Sequence, residues 1–169
     1  MDATLDLAQS DYNLTKKYDF KRIDIIKEYA PDLPELYCEK SKIEQVLLNI
    51  LKNSAEAMDN GGKISISTRF LPESAKIMID ERRRIPWSIE IGVSDNGPGI
   101  NEKIKQTLFD PYTTTKIGAS NSGLGLSIAQ HYVEILGGKL EFESAQHVGT
   151  KFHFTLPFNE GKGFMMLVS

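Results

Sequence analysis

Residues 40–58 read KSKIEQVLLNILKNSAEAM and carry the most regular apolar pattern of the chain. Apolar residues recur here at steps of three and four, which is typical of an amphipathic helix with one buried face. Ser41 with Glu44 suggests a capping box at its start, and Gly61-Gly62 predicts a stop after its end. The sequence therefore predicts a helix over this stretch, packed against a core.

The segments around this helix alternate in polarity or are rich in β-branched residues, which predicts strands. The predicted strands are 22–29, 35–38, 63–70, 87–93, 139–144 and 150–156. Residues 124–136 predict a second helix, and 71–85 form a polar connection between strands. Residues 100–122 contain several serines and threonines and show no clear apolar period, which indicates a mobile lid. This order predicts an α+β two-layer sandwich, with helices on one face of a mixed, mainly antiparallel sheet.

Length and composition narrow the class of protein. The 169 residues fit one domain, and their net charge of −3 does not suggest a broad nucleic-acid surface. A single cysteine excludes an intramolecular disulfide and a cysteine-rich zinc site. No apolar run reaches the roughly 20 residues that span a bilayer, and the first residues do not resemble a secretory signal. We therefore expect a cytoplasmic domain.

Asn49 and Asn53 are four residues apart, so their side chains share one face of the predicted helix. They lie beside the apolar stripe, where a half-buried carboxamide needs a hydrogen-bond partner. Neighbouring backbone or solvent can supply that partner. The second interpretation is a metal–phosphate group that faces the two amide oxygens, and the pair alone does not separate the two.

The stretch VSDNGPGI, residues 93–100, ends a predicted strand in a tight turn. Asp95 lies where the strand ends, and Gly97 and Gly99 allow the backbone to approach a neighbour closely. A purely structural turn has the same pattern. However, a carboxylate at the floor of an apolar pocket would also accept a hydrogen bond from the exocyclic amine of adenine and repel the oxygen of guanine.

Two further stretches have the composition of a phosphate site. SGLGLS, residues 122–127, opens the second predicted helix, where free amides and glycines favour an anion. It is neither a Walker loop nor a dinucleotide fingerprint, because the required lysine and glycine spacing are missing. In LFDPYTTTK, Phe109 and Tyr112 could anchor the lid and Lys116 could reach a phosphate. A surface loop with two inward aromatic rings is the alternative.

Taken together and in this order, these four stretches resemble the N, G1, F and G2 boxes of sensor histidine kinases. The boxes correspond to residues 49–55, 95–100, 109–112 and 122–126, and the resemblance covers residues 20–157. It implies the Bergerat-type ATP-binding fold shared with gyrase, MutL and a heat-shock chaperone, with a mobile ATP lid. The sequence departs from the common pattern at Glu56, where many of these kinases have a basic residue, and at Asn121, where glycine is commoner.

The resemblance implies roles for individual residues. Asn53 would bind Mg²⁺, Asn49 would lie beside the triphosphate, and Asp95 would accept from the adenine amine. Asn49 and Lys116 are the implied catalytic residues. The other implied ATP contacts are Gly97, Gly99, Ile100, Tyr112, Lys116, Ser122, Gly123, Leu124, Gly125, Leu126 and Thr150. The implied cofactors are ATP and Mg²⁺, and the implied mechanism is phosphoryl transfer by positioning and charge neutralisation.

The phosphoryl acceptor is expected to lie outside this chain. None of His131, His147 and His153 stands at the start of a helical hairpin, where the family has its acceptor. The implied partners are a histidine-bearing dimerisation domain and a downstream response regulator, without nucleic acid or membrane contact by this segment. We expect residues 1–18 to be the tail of a preceding helical segment or a linker, 19–158 the catalytic domain, and 159–169 a C-terminal tail.

Two other functions stay open beside the kinase. Related ATPases have a glutamate one turn before the metal-binding asparagine to activate water, whereas Asn49 takes up no proton at neutral pH. This difference favours a kinase over an ATPase. A non-catalytic nucleotide-binding regulatory module is the third candidate, because Glu56 and Asn121 depart from the common pattern. A serine kinase that acts on a sigma-factor antagonist is a variant within the same fold.

Overall fold

The computed structural model describes residues 22–34, 36–58, 60–71, 78–80, 83–84, 88–113, 123–157 and 165–166. Within these residues the chain forms nine strands and three helices. Their order is β1 (Ile23–Glu28), β2 (Leu36–Tyr37), α1 (Lys40–Ala57), β3 (Gly62–Leu71), β4 (Met78–Asp80), β5 (Arg83–Arg84), β6 (Ser88–Asp95), α2 (Glu102–Lys105), α3 (Gly125–Ile135), β7 (Lys139–Ala145), β8 (Gly149–Pro157) and β9 (Met165–Met166). The two long helices and the strands around them lie where the sequence predicts them.

Five strands form the main sheet in the order β1-β3-β6-β8-β7. β1 pairs with β3 in parallel, and the other three pairings are antiparallel. The predicted mixed, mainly antiparallel sheet is therefore confirmed. Two short pairs lie outside it, namely β4 with β5 and β2 with β9. The second of these pairs joins Met165–Met166 of the C-terminal tail to Leu36–Tyr37.

The hydrophobic core lies between the main sheet and the helices α1 and α3. Strand β3 alternates as predicted, with Ile64, Ile66 and Thr68 buried and the residues between them more exposed. Because alternate residues of a strand point to opposite faces, only one face of β3 enters the core. The buried face of α1 consists of Ile43, Val46, Leu47, Ile50, Leu51, Ser54 and Ala55. The predicted two-layer α+β sandwich is thus confirmed.

Local details differ from the sequence-based expectation in three places. The capping box at the start of α1 is wrong, because the N-cap is Glu39 and forms no side-chain cap. The hydroxyl of Ser41 instead donates to Oε1 of Glu39 at 3.2 Å. The connection expected at 71–85 contains β4 and β5, and the region expected to be a lid begins with the helical turn α2. No helix within the described residues is both long and apolar enough to cross a membrane.

Candidate functional site

Asp95 ends strand β6 with its side chain almost fully buried, at 8% exposure. Its Oδ2 accepts a hydrogen bond from the hydroxyl of Ser54 at 2.8 Å. Its Oδ1 accepts from the backbone N–H groups of Gly97 at 3.0 Å and Thr150 at 3.3 Å. A Cβ atom on Gly97 would lie 2.9 Å from Oδ1, so only glycine allows this contact without a shift. Three neutral donors therefore hold the carboxylate in one orientation.

The environment of Asp95 raises the pKa of its carboxyl group. Burial is the main cause, because it penalises the charged form. The hydrogen bonds from Ser54, Gly97 and Thr150 act in the opposite direction and lower the pKa. None of the ion pairs formed within the described ranges includes Asp95. Asp95 is thus a buried acid whose oxygens are oriented by neutral hydrogen-bond donors and not by a charged partner.

In the unliganded protein, we expect the contribution of Asp95 to the free energy of unfolding to rise as the pH falls through its raised pKa. The folded state binds this proton more tightly than the unfolded chain, so protonation favours folding. The free energy of unfolding in urea should be compared for the wild type and Asp95→Asn from about pH 7 to about pH 4. The free energy of unfolding of the wild type minus that of the variant should increase as the pH falls. The contributions of the other carboxyl groups are the same in both proteins and cancel in this difference. A constant difference would contradict the shift.

The loop after Asp95, residues 96–100, packs directly on the turn between β7 and β8. Gly99 adopts a left-handed φ of +73°, and a Cβ atom there would lie 2.2 Å from the carbonyl oxygen of Ala145. The N–H of His147 donates to the carbonyl of Pro98 at 2.7 Å. The glycine predicted to permit close approach of the backbone therefore does so, and its neighbour is the turn of a hairpin within this chain.

Ser144 connects this loop to the start of β8. The N–H of Ile100 donates to Oγ of Ser144 at 2.8 Å, and the same Oγ lies 3.0 Å from Oγ1 of Thr150. Next to Thr150, Gly149 has a φ of +138°, and a Cβ atom there would lie 2.0 Å from the carbonyl oxygen of Asp95. Ser144 and Thr150 are thus brought to Asp95 and its following loop from a distant part of the sequence.

Asn49 and Asn53 are both half-buried and lie one turn apart on the same face of α1, as predicted. Nε2 of Gln45 donates to Oδ1 of Asn49 at 3.0 Å. The Nδ2 atom of Asn49 is buried and has no hydrogen-bond partner among the described residues. The side chain of Asn53 likewise has no partner within the part of the chain that the structure describes. Both amides therefore have hydrogen-bonding capacity that no group among the described residues uses.

The N-terminus of α3 lies next to Asn49. A Cβ atom on Gly125 would lie 3.9 Å from Cβ and Cγ of Asn49, which is ordinary contact distance. The N-cap residue Leu124 provides no side-chain hydrogen bond to the first amides of α3. Uncapped amides at the start of a helix carry partial positive charge and favour anions. Leu124 and Leu126 are half-buried, and Leu126 packs on the core.

We expect Gly125→Ala to fold at least as stably as the wild type but to bind ATP about tenfold more weakly. Alanine has the higher helix propensity, and no atom would lie closer than 3.9 Å to the new methyl group. The methyl group would occupy the space between the start of α3 and Asn49, where a phosphate would have to enter. Thermal unfolding and calorimetric titration measure the two effects. Unchanged affinity for ATP would place the phosphates elsewhere.

The base of the expected lid is closed by a contact between Tyr112 and Gly123. The N–H of Tyr112 donates to the carbonyl of Gly123 at 3.0 Å, and both residues have left-handed φ values, +67° and +65°. The side chain of Tyr112 is 74% exposed, whereas Phe109 packs edge-on against Phe142 with 5.7 Å between ring centroids. Lys116 and Ser122 lie outside the described residues, so their predicted contacts with ATP stay predictions.

The predicted residues that the structure describes thus include two groups joined by α1, beside the pair formed by Tyr112 and Gly123. One group surrounds Asp95, and the other combines Asn49 with the start of α3. Sequence reasoning missed Ser54 and Gln45, which bond the two side chains at the centres of these groups. The sequence contained an indication of each, because Ser54 is a polar residue within an apolar stripe and Gln45 lies one turn before Asn49.

A mixed sheet with helices on one face, a buried acid at the end of a strand and an uncapped helix start are typical of ATP-binding domains with the Bergerat-type fold. The sequence comparison places the chain within this class. Residues 38–160 match the family described as histidine kinase-, DNA gyrase B-, and HSP90-like ATPase. The chain belongs to this family.

Individual relatives are sensory kinases. The sensory histidine kinase/phosphatase NtrB of Rhizobium meliloti (strain 1021) is 36% identical over 143 residues, which cover 83% of this chain and 37% of NtrB. The adaptive-response sensory kinase SasA of Synechococcus sp. (strain CC9311) is 31% identical over 166 residues, 96% of this chain and 40% of SasA. The nucleotide-free catalytic domain of histidine kinase ThkA has a TM-score of 0.69 at 26% identity and covers 94% of this chain and 92% of that domain. This chain therefore spans less than half the length of NtrB or SasA.

Proposed function

We propose that this chain is the ATP-binding catalytic domain of a sensor histidine kinase and transfers the γ-phosphoryl group of ATP to a histidine on a dimerisation domain outside it. The observation that carries this proposal is the buried carboxylate of Asp95. Its Oδ1 already accepts two backbone N–H bonds, so Oδ2 has the free acceptor capacity that an exocyclic adenine amine requires. The family and the sensory-kinase relatives support the phosphotransfer reaction.

The two groups are close enough along α1 for one ATP molecule to reach both. Ser54 and Asn49 are five residues apart on α1, which corresponds to about 7.5 Å along the helix axis. The adenine would lie at Asp95, with Gly97 and Thr150 shaping its pocket. The phosphates would lie at Asn49 and at the amides that open α3, in the field of the helix N-terminus.

Asn53 is the residue we propose for Mg²⁺. Mg²⁺ takes few protein ligands and keeps water and phosphate oxygens, so one carboxamide oxygen without a partner among the described residues fits it. Bound Mg²⁺ would neutralise charge on the phosphates. The lid, with Tyr112, Lys116 and Ser122, would close over the phosphates and exclude water, which otherwise competes with the acceptor.

The wider context is proposed on the same basis. The catalytic domain would comprise residues 19–158, with the tail of a helical segment or a linker before it and a C-terminal tail after it. A response regulator would receive the phosphoryl group downstream, and the cytoplasm would be the location of the reaction. An ATPase is less well supported, because Asn49 is a neutral amide engaged by Gln45 and cannot activate water as a base.

The test is transfer of labelled phosphate from γ-³²P-ATP to a separately produced dimerisation domain of the full-length protein. Mixing the two proteins with Mg²⁺ should produce an acid-labile, base-stable phosphohistidine on the acceptor. An acceptor whose histidine is replaced by glutamine is the control. Release of inorganic phosphate without acceptor labelling would favour the ATPase. ATP binding without either reaction would favour a regulatory module.

A further inference from the structure

Gln45 and Asn49 form a hydrogen-bonded pair on one face of α1. They are four residues apart, the spacing at which helical side chains meet. Nε2 of Gln45 donates to Oδ1 of Asn49 at 3.0 Å, and both side chains are half-buried. A carboxamide has an oxygen that accepts and a nitrogen that donates. The bond from Gln45 therefore engages the oxygen of Asn49 and leaves its nitrogen for another partner.

The Nδ2 atom of Asn49 is a donor without an acceptor among the described residues, and it is buried. An unsatisfied buried donor destabilises the protein, and a hydrogen bond to a ligand oxygen would remove this penalty. The uncapped start of α3 approaches the same side chain through Gly125 and favours the same kind of ligand, an anion. Two independent features thus indicate an anionic oxygen next to Asn49.

We infer that Gln45 is a positioning residue, which orients Asn49 so that its N–H groups and not its oxygen face the phosphate chain of the nucleotide. This inference rests on the proposed function. It also assigns different roles to the two carboxamides of α1, one as a hydrogen-bond donor and the other as a metal ligand. Asn49 donates to a phosphate oxygen, whereas Asn53 has its oxygen available for the metal ion.

Gln45→Glu tests the orientation, because an ionised glutamate side chain can only accept a hydrogen bond from Asn49. The amide of Asn49 would turn by about 180° so that Nδ2 donates to the introduced carboxylate. The amide oxygen of Asn49 would then face the phosphate oxygens. Both are hydrogen-bond acceptors, so no bond would form between them. Gln45→Met is the matched uncharged variant, which has a similar length and forms no such bond. It leaves the amide of Asn49 without a fixed orientation.

The experiment measures displacement of the fluorescent analogue trinitrophenyl-ATP by ATP and by adenosine for the 169-residue chain and both variants. We expect the inhibition constant of ATP to rise about tenfold or more in Gln45→Glu and about threefold in Gln45→Met. The constant for adenosine should stay unchanged, because adenosine has no phosphate. In the wild type, the side-chain ¹⁵N–¹H resonances of Asn49 should shift with ATP and not with adenosine.

Several outcomes would overturn the inference. Wild-type affinity for ATP in both variants would show that Gln45 does not orient Asn49. Equal losses for ATP and adenosine would show that Gln45 only supports the fold. If ATP does not displace the analogue from the wild type, the proposed function fails and the inference with it. If ATP displaces it normally from the wild type and from both variants, the proposed function stands and only the role of Gln45 fails.

Discussion

Replacing Asp95 with asparagine is expected to abolish ATP binding while the fold stays intact. The backbone N–H groups of Gly97 and Thr150 both donate to Oδ1, so the amide oxygen of asparagine must take that position. The NH₂ group then replaces Oδ2, beside the hydroxyl of Ser54, which can rotate to accept. The exocyclic amine of adenine would therefore meet a donor where the wild type has a charged acceptor.

Calorimetric titration with ATP measures this effect. We expect the affinity to fall by about 100-fold or more, because a charge-assisted hydrogen bond is lost and two donors face each other. Glu90→Gln is the matched control, since it removes one negative charge from the same strand at a residue that pairs with Arg69. It should bind ATP as the wild type does. Unchanged affinity in Asp95→Asn would remove Asp95 from the nucleotide site.

The long elements were predictable because their signals are local. In Lys40–Ala57 the apolar residues recur with the period of a helix, and in Gly62–Leu71 they alternate with the period of a strand. Both patterns arise from burial of one face, and the core confirms them. The parallel pairing of β1 with β3 brings together residues that are about forty positions apart in sequence, so periodicity alone does not indicate it.

Among the short elements, β2 was predicted, whereas α2 escaped prediction for a physical reason. α2 spans only Glu102–Lys105 and has no buried residue, so it shows no apolar period. Its real signal is the N-cap, where Oδ1 of Asn101 accepts from the N–H of Lys103 at 3.0 Å. At α1 the reverse occurred, because Ser41 matched a capping motif but lies within the helix, after the N-cap Glu39.

Most residues of the candidate site could be predicted from the sequence, but the hydrogen bonds between them could not. Gly97 and Gly99 follow Asp95 within one turn, so their proximity is local. The bonds to Asp95 from Ser54 and Thr150 cross 41 and 55 residues, respectively. The second depends on the register of β6 with β8, in which Asp95 is opposite Thr150. Only the resemblance to sensor histidine kinases indicated Thr150, and nothing indicated that Ser54 would donate to Asp95.

Gly149→Ala is expected to lower the free energy of unfolding by about 3 kcal/mol, through backbone strain and steric overlap. The wild-type φ of +138° is one that L side chains rarely adopt. A Cβ atom would also lie 2.0 Å from the carbonyl oxygen of Asp95 and 3.2 Å from Cα of Asn96. These are backbone atoms, so relief requires β8 to move away from the end of β6. Such a movement would also lengthen the bond from Thr150 to Asp95.

Urea unfolding of Gly149→Ala and Gly125→Ala, measured side by side, separates the strain at Gly149 from the general effect of replacing glycine with alanine. Both variants add one methyl group, but at Gly125 the nearest atom would be 3.9 Å away. Gly125→Ala should therefore keep wild-type stability or exceed it, while Gly149→Ala should lose both stability and affinity for adenosine. Asp95→Asn loses affinity alone, so the three variants together distinguish a contact with the ligand from a contact that builds the pocket. Wild-type stability in Gly149→Ala would show that β8 and the end of β6 need not approach so closely.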